Sequence, residues 1–180
     1  MNNYLMFDME TLALDNPVVI QLGFVVFNKD KVLWTSSYNI CPKSCVAIGM
    51  EMDLDTVAWW LKTNPTLMTS ILDGRSVSIE EALSFMFNIY NSFNCKGVMS
   101  NGSLADIKWV HQLVKGINKS SETKIKIPWS YKEELCFRTM RALFPQYKGV
   151  EFGEKHDALN DARYQASVVQ EIMNKEGIAL

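Results

Sequence analysis

The ten uncharged residues from Val18 to Phe27 constrain the fold of this chain most strongly. Their composition is rich in Val, Ile and Phe, which favour β-strands. The turn signal at 15–17 separates this run from an earlier apolar run at 4–7, and the polar residues 28–30 separate it from a third candidate strand, Lys31 to Tyr38. The sequence therefore predicts an antiparallel meander of three strands.

Helical patterns follow this meander. They are indicated by caps, prolines and apolar periodicity, and they cover a segment from Asp53 or Asp55 to Leu61, a segment from Pro65, residues 78–93, a helix that includes 110–117, residues 133–144, and residues 157–174. A short buried strand at 97–100 and a turn at 101–103 precede the fourth of these helices. Meander strands combined with a strand-to-helix crossover predict an α/β layer fold.

The length of 180 residues and the hydrophobic fraction of 48% are sufficient for one domain that covers 1–180. No stretch approaches the roughly 20 apolar residues of a membrane span, and the N-terminus lacks the pattern of a signal peptide. We therefore expect a cytoplasmic protein that does not associate with membranes. The cysteines lack the companions of a zinc site, so free thiols are expected.

The net charge of −2 argues against a protein that coats long nucleic acids, because such binding requires many cations. A local basic patch is nevertheless present, in which five lysines between Lys115 and Lys132 outnumber one acid, Glu122. This patch is equally compatible with a solvated loop and with an arm that contacts phosphates.

Two carboxylates, Asp8 and Glu10, follow the first apolar run at alternate positions. In a strand, residues two apart point to the same side, so their charges raise each other's pKa. A hard divalent cation between them would remove this cost. The alternative is that a strand end is acidic because it meets solvent.

Further candidates lie later in the chain. Asp106 begins a helix, where it could instead compensate the helix dipole. Asp161 lies beside small apolar residues on the inward side of the last helix, where a carboxylate is costly to bury without a partner. His156 precedes it by five positions, whereas His111 is expected to be a surface or half-buried residue without a catalytic role.

These residues form three ordered motifs: Asp8-Met9-Glu10, Asn101-Gly102-Ser103-Leu104-Ala105-Asp106, and His156-Asp157-Ala158-Leu159-Asn160-Asp161. In this arrangement the chain resembles the DEDDh branch of the DnaQ-like (RNase T-like) 3′→5′ exonucleases. The segments 56–60 and 137–140 are more similar to the exonuclease VIII and phage DexA-type group within that branch. Two positions depart from the family pattern: Ala105 stands where an aromatic residue is common, and Cys136 replaces an acid.

The resemblance implies a ribonuclease H-like mixed sheet flanked by helices, and five catalytic residues. Asp8, Glu10, Asp106 and Asp161 would hold two Mg²⁺ or Mn²⁺ ions, and His156 would act as the general base. It also implies substrate contacts, which we assign to Thr11, Leu12, Trp60, Asn101 and Arg138. Because neighbouring helical residues are turned about 100° apart, Trp59 and Trp60 cannot both face the substrate; both could instead pack in the core.

The implied activity is the release of nucleoside 5′-monophosphates from the 3′ end of single-stranded DNA or RNA, with DNA slightly favoured. Alternatives are an exoribonuclease of RNA processing, a polymerase-associated proofreading subunit, and a non-catalytic nucleic-acid-binding module. Retention of all five motif residues argues against the last, and the lack of a partner-binding tail favours a stand-alone nuclease over a proofreading subunit. A homodimer, and a phage-encoded protein acting in the host cytoplasm, are compatible with the sequence.

Overall fold

The computed structural model describes residues 2–122 and 124–180. Its sheet has six strands, namely β1 (Tyr4–Thr11), β2 (Val19–Phe27), β3 (Val32–Ile40), β4 (Ser76–Val77), β5 (Val98–Ser100) and β6 (Glu134–Cys136). Their order across the sheet is β4-β3-β2-β1-β5-β6. β1, β2 and β3 are antiparallel neighbours, whereas β4, β5 and β6 pair in parallel with β3, β1 and β5. The predicted meander and the mixed sheet are confirmed.

Seven α-helices accompany this sheet in the described part of the chain: α1 (Pro42–Val46), α2 (Leu54–Thr63), α3 (Pro65–Asp73), α4 (Ile79–Ser92), α5 (Lys108–Ser120), α6 (Phe137–Leu143) and α7 (Ala158–Glu176). Side-chain caps begin several of them, because Asp53, Ser78 and Asp157 accept hydrogen bonds from backbone N–H groups of the first turn. None of these helices combines the length and the apolarity that a membrane crossing requires.

The helix predicted over 133–144 is wrong in its first part. A 3₁₀ turn covers Tyr131–Glu133, β6 follows, and α6 begins only at Phe137. The reason is tertiary, since β6 pairs with β5 and these backbone hydrogen bonds override the local preference for a helix. Consequently α6 begins at the sheet, beside the turn that follows β5.

The first strand is buried on both faces, which divides the core in two. Leu5, Phe7 and Met9 pack with residues of α4 and α5, while Tyr4 and Met6 pack with residues of α7. Side chains alternate along a strand, so the positions that follow Tyr4 and Met6 on the same face are Asp8 and Glu10. Both carboxylates therefore face α7.

The close approach of α7 to the sheet depends on Gly23. This glycine is the β2 partner of Asp8, and a Cβ at its position would lie 2.3 Å from the carbonyl carbon of Ala158. A side chain here would displace the start of α7. Glycine thus allows the first turn of α7 to lie directly against β2, beside the two carboxylates of β1.

Candidate active site

The two carboxylates of β1 are almost fully buried. Asp8 and Glu10 are each 8% exposed, although charged side chains normally reach solvent. They lie on one face of the strand, as the spacing predicts. The cost of such burial indicates that these groups are held for a purpose other than packing.

The N-terminus of α7 is fastened beside these carboxylates by Gln21, the β2 partner of Glu10. The amide oxygen of Gln21 accepts a hydrogen bond from the Ala158 N–H at 2.8 Å, and its Nε2 donates to Asp157 at 3.3 Å. The backbone N–H of His156 donates to Asp161 Oδ2 at 3.2 Å. One ligand atom each from Glu10, His156 and Asp161 lies within 4.8 Å of the others.

Asp106 approaches the same place from the other side of β1. It belongs to a π-helical turn, Ser103–Ile107, that links β5 to α5, and its side chain is buried. Such turns are often found at functional sites. Backbone N–H groups of Gly102 and Met9 contact its carboxylate, and Met9 lies between Asp8 and Glu10 on β1. Three distant segments thus converge on one cluster.

The pKa values of this cluster are raised. Burial, then the charges of Asp161 and Asp106, raise the pKa of Glu10 to about 8. Burial raises the pKa of Asp106 to about 6, against hydrogen bonds from backbone N–H groups. Burial is also the main cause of the raised pKa values of Asp8 and Asp161. No ion pair within residues 2–122 and 124–180 involves any of the four.

The donor set suits hard divalent cations. Carboxylate oxygens are the ligands that Mg²⁺ and Mn²⁺ prefer, and an imidazole at the edge of the cluster is compatible with Mn²⁺. Added positive charge would also offset the repulsion that raises the pKa values. The residues present therefore fit divalent cations of this kind.

Comparison with known proteins identifies the family. Residues 3–173 match the model of the 3′-5′ exoribonuclease Rv2179c-like domain. The chain belongs to this family. It is a 3′-5′ exonuclease of the DnaQ-like superfamily, as the three motifs indicate.

Solved exonuclease structures share this fold. An exonuclease X in complex with 5′-overhanging duplex DNA has 14% identity and a TM-score of 0.59, with 98% of this chain and 94% of that chain covered. The E. coli exonuclease I in complex with a dT13 oligonucleotide has 10% identity and a TM-score of 0.66, with 98% and 42% covered. This chain therefore spans about two-fifths of that exonuclease I. The predicted ribonuclease H-like fold is confirmed. No curated protein sequence matches significantly.

Gln165 is a residue that sequence reasoning missed. Its Nε2 donates to Asp8 Oδ1 at 2.9 Å, which lowers the pKa of Asp8 against the larger effect of burial. The side chain is 4% exposed, and its Oε1 has no hydrogen-bond partner among the described residues. The available signal was its spacing, since Gln165 follows Asp161 by one helical turn and shares its face of α7.

We expect Gln165→Met in this exonuclease to lower kcat/KM by about 10- to 100-fold, as losses of groups that orient metal ligands do. The Asp8 carboxylate would lose the donor that fixes one of its oxygens. The matched control is Gln170→Met. Gln170 lies on the same helix as Gln165, and its amide donates a hydrogen bond to the carbonyl of Asn28. Steady-state kinetics over a range of Mn²⁺ concentrations measures both variants. Equal kcat/KM values for Gln165→Met and Gln170→Met would contradict the role of Gln165 in orienting Asp8.

Trp60 packs in the core and Trp59 does not, so the alternative that both pack in the core is wrong, and the burial of Trp60 argues against the substrate contact assigned to it. Trp60 is 1% exposed and its Nε1 donates to the carbonyl of Thr11 at 3.0 Å, so it has no free face for a base. Trp59 is 42% exposed, and its ring centroid lies 5.1 Å from that of His156. His156 itself has a φ of 65°, a left-handed conformation that is uncommon for a non-glycine residue. The indoles and this backbone conformation together orient the imidazole.

The other residues assigned as substrate contacts differ in how far their side chains are exposed. Thr11 and Leu12 are buried, and the Thr11 hydroxyl donates to the carbonyl of Ala13 at 2.9 Å. Asn101 is half-buried and accepts a hydrogen bond from the backbone N–H of Arg138 through its carbonyl. Arg138 is exposed beside the turn at Gly102. Arg138 is therefore the member of this set whose side chain is exposed to solvent.

Cys136, which replaces an acid of the family pattern, lies at the start of α6. Burial opposes ionisation of its thiol, but hydrogen bonds from Thr139 and from backbone groups of Ser103 and Arg138 bring its pKa down to about 7. The surroundings of Cys136 therefore stabilise a negative charge, as they would for the acid of the family pattern.

Two further charged candidates, His111 and Lys124, make structural contacts. His111 Nε2 lies 2.7 Å from Glu134, between α5 and β6. Within the basic patch, Lys124 donates to the carbonyl of Ser121 at 2.6 Å, near the end of α5. His111 thus lies at the surface, as predicted, and Lys124 contributes to a helix end rather than to a free arm.

Glu10→Gln should stabilise the metal-free protein above pH 8. The pKa of Glu10 is about 8 in the folded protein against 4.5 ordinarily, so folding at high pH buries a charge that the unfolded chain solvates. At high pH the free energy of unfolding of the wild type should be lower than that of Glu10→Gln by on the order of a few kcal/mol, and this difference should disappear as the pH falls from about 8 to 4.5. Urea unfolding in EDTA at pH 5 and 8.5 measures it, with Glu122→Gln as control. Equal stabilities of wild type and Glu10→Gln at pH 8.5 would contradict this expectation.

Proposed function

We propose that this chain is a metal-dependent 3′→5′ exonuclease that removes nucleoside 5′-monophosphates from the 3′ end of single-stranded RNA. The observation that carries the proposal is the convergence of Asp8, Glu10, Asp106 and Asp161 from three separate segments onto one buried cluster beside His156. Three buried carboxylates and the half-buried Asp161, which form no ion pair within residues 2–122 and 124–180, have little structural value and suit a pair of divalent ions.

Each residue of the cluster would have a separate role in the reaction. The four carboxylates would hold two Mg²⁺ or Mn²⁺ ions, with Gln165 fixing the orientation of Asp8. When bound, such ions supply the charge that favours ionisation of the attacking water and stabilises the leaving oxygen. His156 would accept the proton of that water, since its imidazole lies at the edge of this cluster. Trp59 would keep the imidazole in place and shield it on one side.

RNA is preferred over DNA in this proposal because the matched family is described as exoribonuclease. The sequence alone slightly favoured DNA, and DNA is the ligand in the two solved structures compared above. The closer kinship with the exonuclease VIII and DexA-type group, a single domain over 1–180, a stand-alone rather than a proofreading enzyme, a homodimer, and a location in the cytoplasm remain predictions.

The test uses matched 5′-labelled RNA and DNA strands of one sequence, with free and with blocked 3′ ends, in Mg²⁺ and in EDTA. We expect a ladder that shortens from the 3′ end, faster on RNA, and absent with EDTA or a blocked end. Faster cleavage of DNA would contradict the RNA preference. Cleavage of blocked strands would contradict an exonuclease, and full activity in EDTA would contradict the metal requirement.

A further inference from the structure

A cavity of about 260 Å³ opens beside the cluster, between α6, α7 and the segment that connects them. His156 and Asp161 form one of its walls. The roles assigned to the metal ligands and to the general base leave the rest of this cavity unused. Its other lining residues include Arg141, Glu151, Phe152, Lys155 and Tyr164.

The charge of this cavity favours an anion. Arg141 and Lys155 are exposed cations, and neither forms an ion pair in the described part of the chain. Glu151 is the one carboxylate of the lining outside the metal cluster. With Asp161 engaged by the metal ions, the rest of the lining carries one net positive charge, and it lies directly beside the residues proposed to act on a phosphodiester.

The Phe152 and Tyr164 rings of the lining each have a guanidinium group beside them. The guanidinium of Arg141 lies 5.7 Å from the centroid of the Tyr164 ring, and that of Arg163 lies 4.2 Å from the centroid of the Phe152 ring. Such contacts orient an arginine and restrict its side-chain freedom. Because a guanidinium group already lies over one face of each ring, the cavity suits a phosphate better than a base stacked on that face.

The direction of the reaction decides which phosphate this is. In a 3′→5′ exonuclease, the terminal nucleotide has no phosphate beyond the scissile one, so every further phosphate lies on the 5′ side. We propose that Arg141 and Lys155 bind the phosphate immediately 5′ of the scissile phosphate. This rests on the proposed function. It implies that a strand carrying this second phosphate is a better substrate than one that lacks it.

A pair of dinucleotides tests the site. UpU has the scissile phosphate alone, whereas pUpU adds a 5′-phosphate in the position of the next backbone phosphate. We expect kcat/KM to be about 10-fold or more higher for pUpU, the range of a charge-assisted contact. UpUpU, which has a diester in that position, should share the preference. Arg141→Gln and Lys155→Gln should each move the ratio of the two kcat/KM values toward one.

Lys148→Gln is the matched control, because Lys148 lies on the same connecting segment, bonds the carbonyl of Pro145 and does not line the cavity. It should retain the wild-type ratio. Equal cleavage of UpU and pUpU by the wild type would overturn the inference while leaving the exonuclease intact. The inference would also be overturned if Arg141→Gln and Lys155→Gln slowed the cleavage of both dinucleotides but kept the wild-type ratio of kcat/KM values, because that result indicates a structural role. A wild type that cleaves neither dinucleotide nor longer strands would overturn the proposed function as well.

Discussion

Asp8→Asn should abolish metal-dependent cleavage while the protein stays folded. The amide is nearly isosteric with the carboxylate but removes one negative charge from the cluster that would hold the ions. We expect a loss of at least about 100-fold in kcat, beyond the 10- to 100-fold that groups behind the ligands typically cost. The same reasoning applies to Asp161→Asn. Cleavage of a labelled strand in Mg²⁺ or Mn²⁺ measures the effect.

Two further measurements make this result specific. Because burial, and then repulsion from Asp106 and Glu10, raise the pKa of Asp8, its neutralisation should leave the thermal stability of the metal-free protein unchanged or higher. Asp30→Asn, which changes an exposed acid of the loop between β2 and β3, should retain full activity. Undiminished turnover by Asp8→Asn or Asp161→Asn would refute the assignment of the cluster as the catalytic centre.

His156→Ala is expected to lower kcat by about 10² to 10⁴-fold, the usual contribution of a general base. Calorimetric titration with Mn²⁺ should show nearly normal affinity, because the four carboxylates remain. The geometry makes this comparison informative, since a ring nitrogen of His156 lies within 4.8 Å of ligand atoms of both Glu10 and Asp161. A large loss of Mn²⁺ affinity would identify the imidazole as a metal ligand instead of a base.

The second histidine provides the control for this experiment. His111→Ala removes an imidazole that pairs with Glu134 at the surface, and it should leave kcat unchanged. Partial rescue of His156→Ala by added imidazole would support a role in proton transfer. Trp59→Ala should give a smaller loss than His156→Ala, because Trp59 only packs against the ring.

Much of the fold could be predicted because its information is local. The apolar runs of β1, β2 and β3 are separated by turn signals, and the caps at Asp53, Ser78 and Asp157 begin helices where the sequence places them. The error at 134–136 has the opposite origin. These residues become β6 only because β5 offers them hydrogen-bond partners, and no local pattern contains that information.

The candidate site divides in the same way. The sequence by itself determined the residue types and their order, since a two-residue spacing sets the common face of Asp8 and Glu10, and His156 precedes Asp161 by five positions just before the last helix. Tertiary structure alone decided which groups support them: Gln165 against Asp8, Gln21 at the start of α7, and Trp59 against His156. These contacts join residues that are distant in the chain, and only the packing of α7 against β1 and β2, which Gly23 permits, brings them within bonding distance.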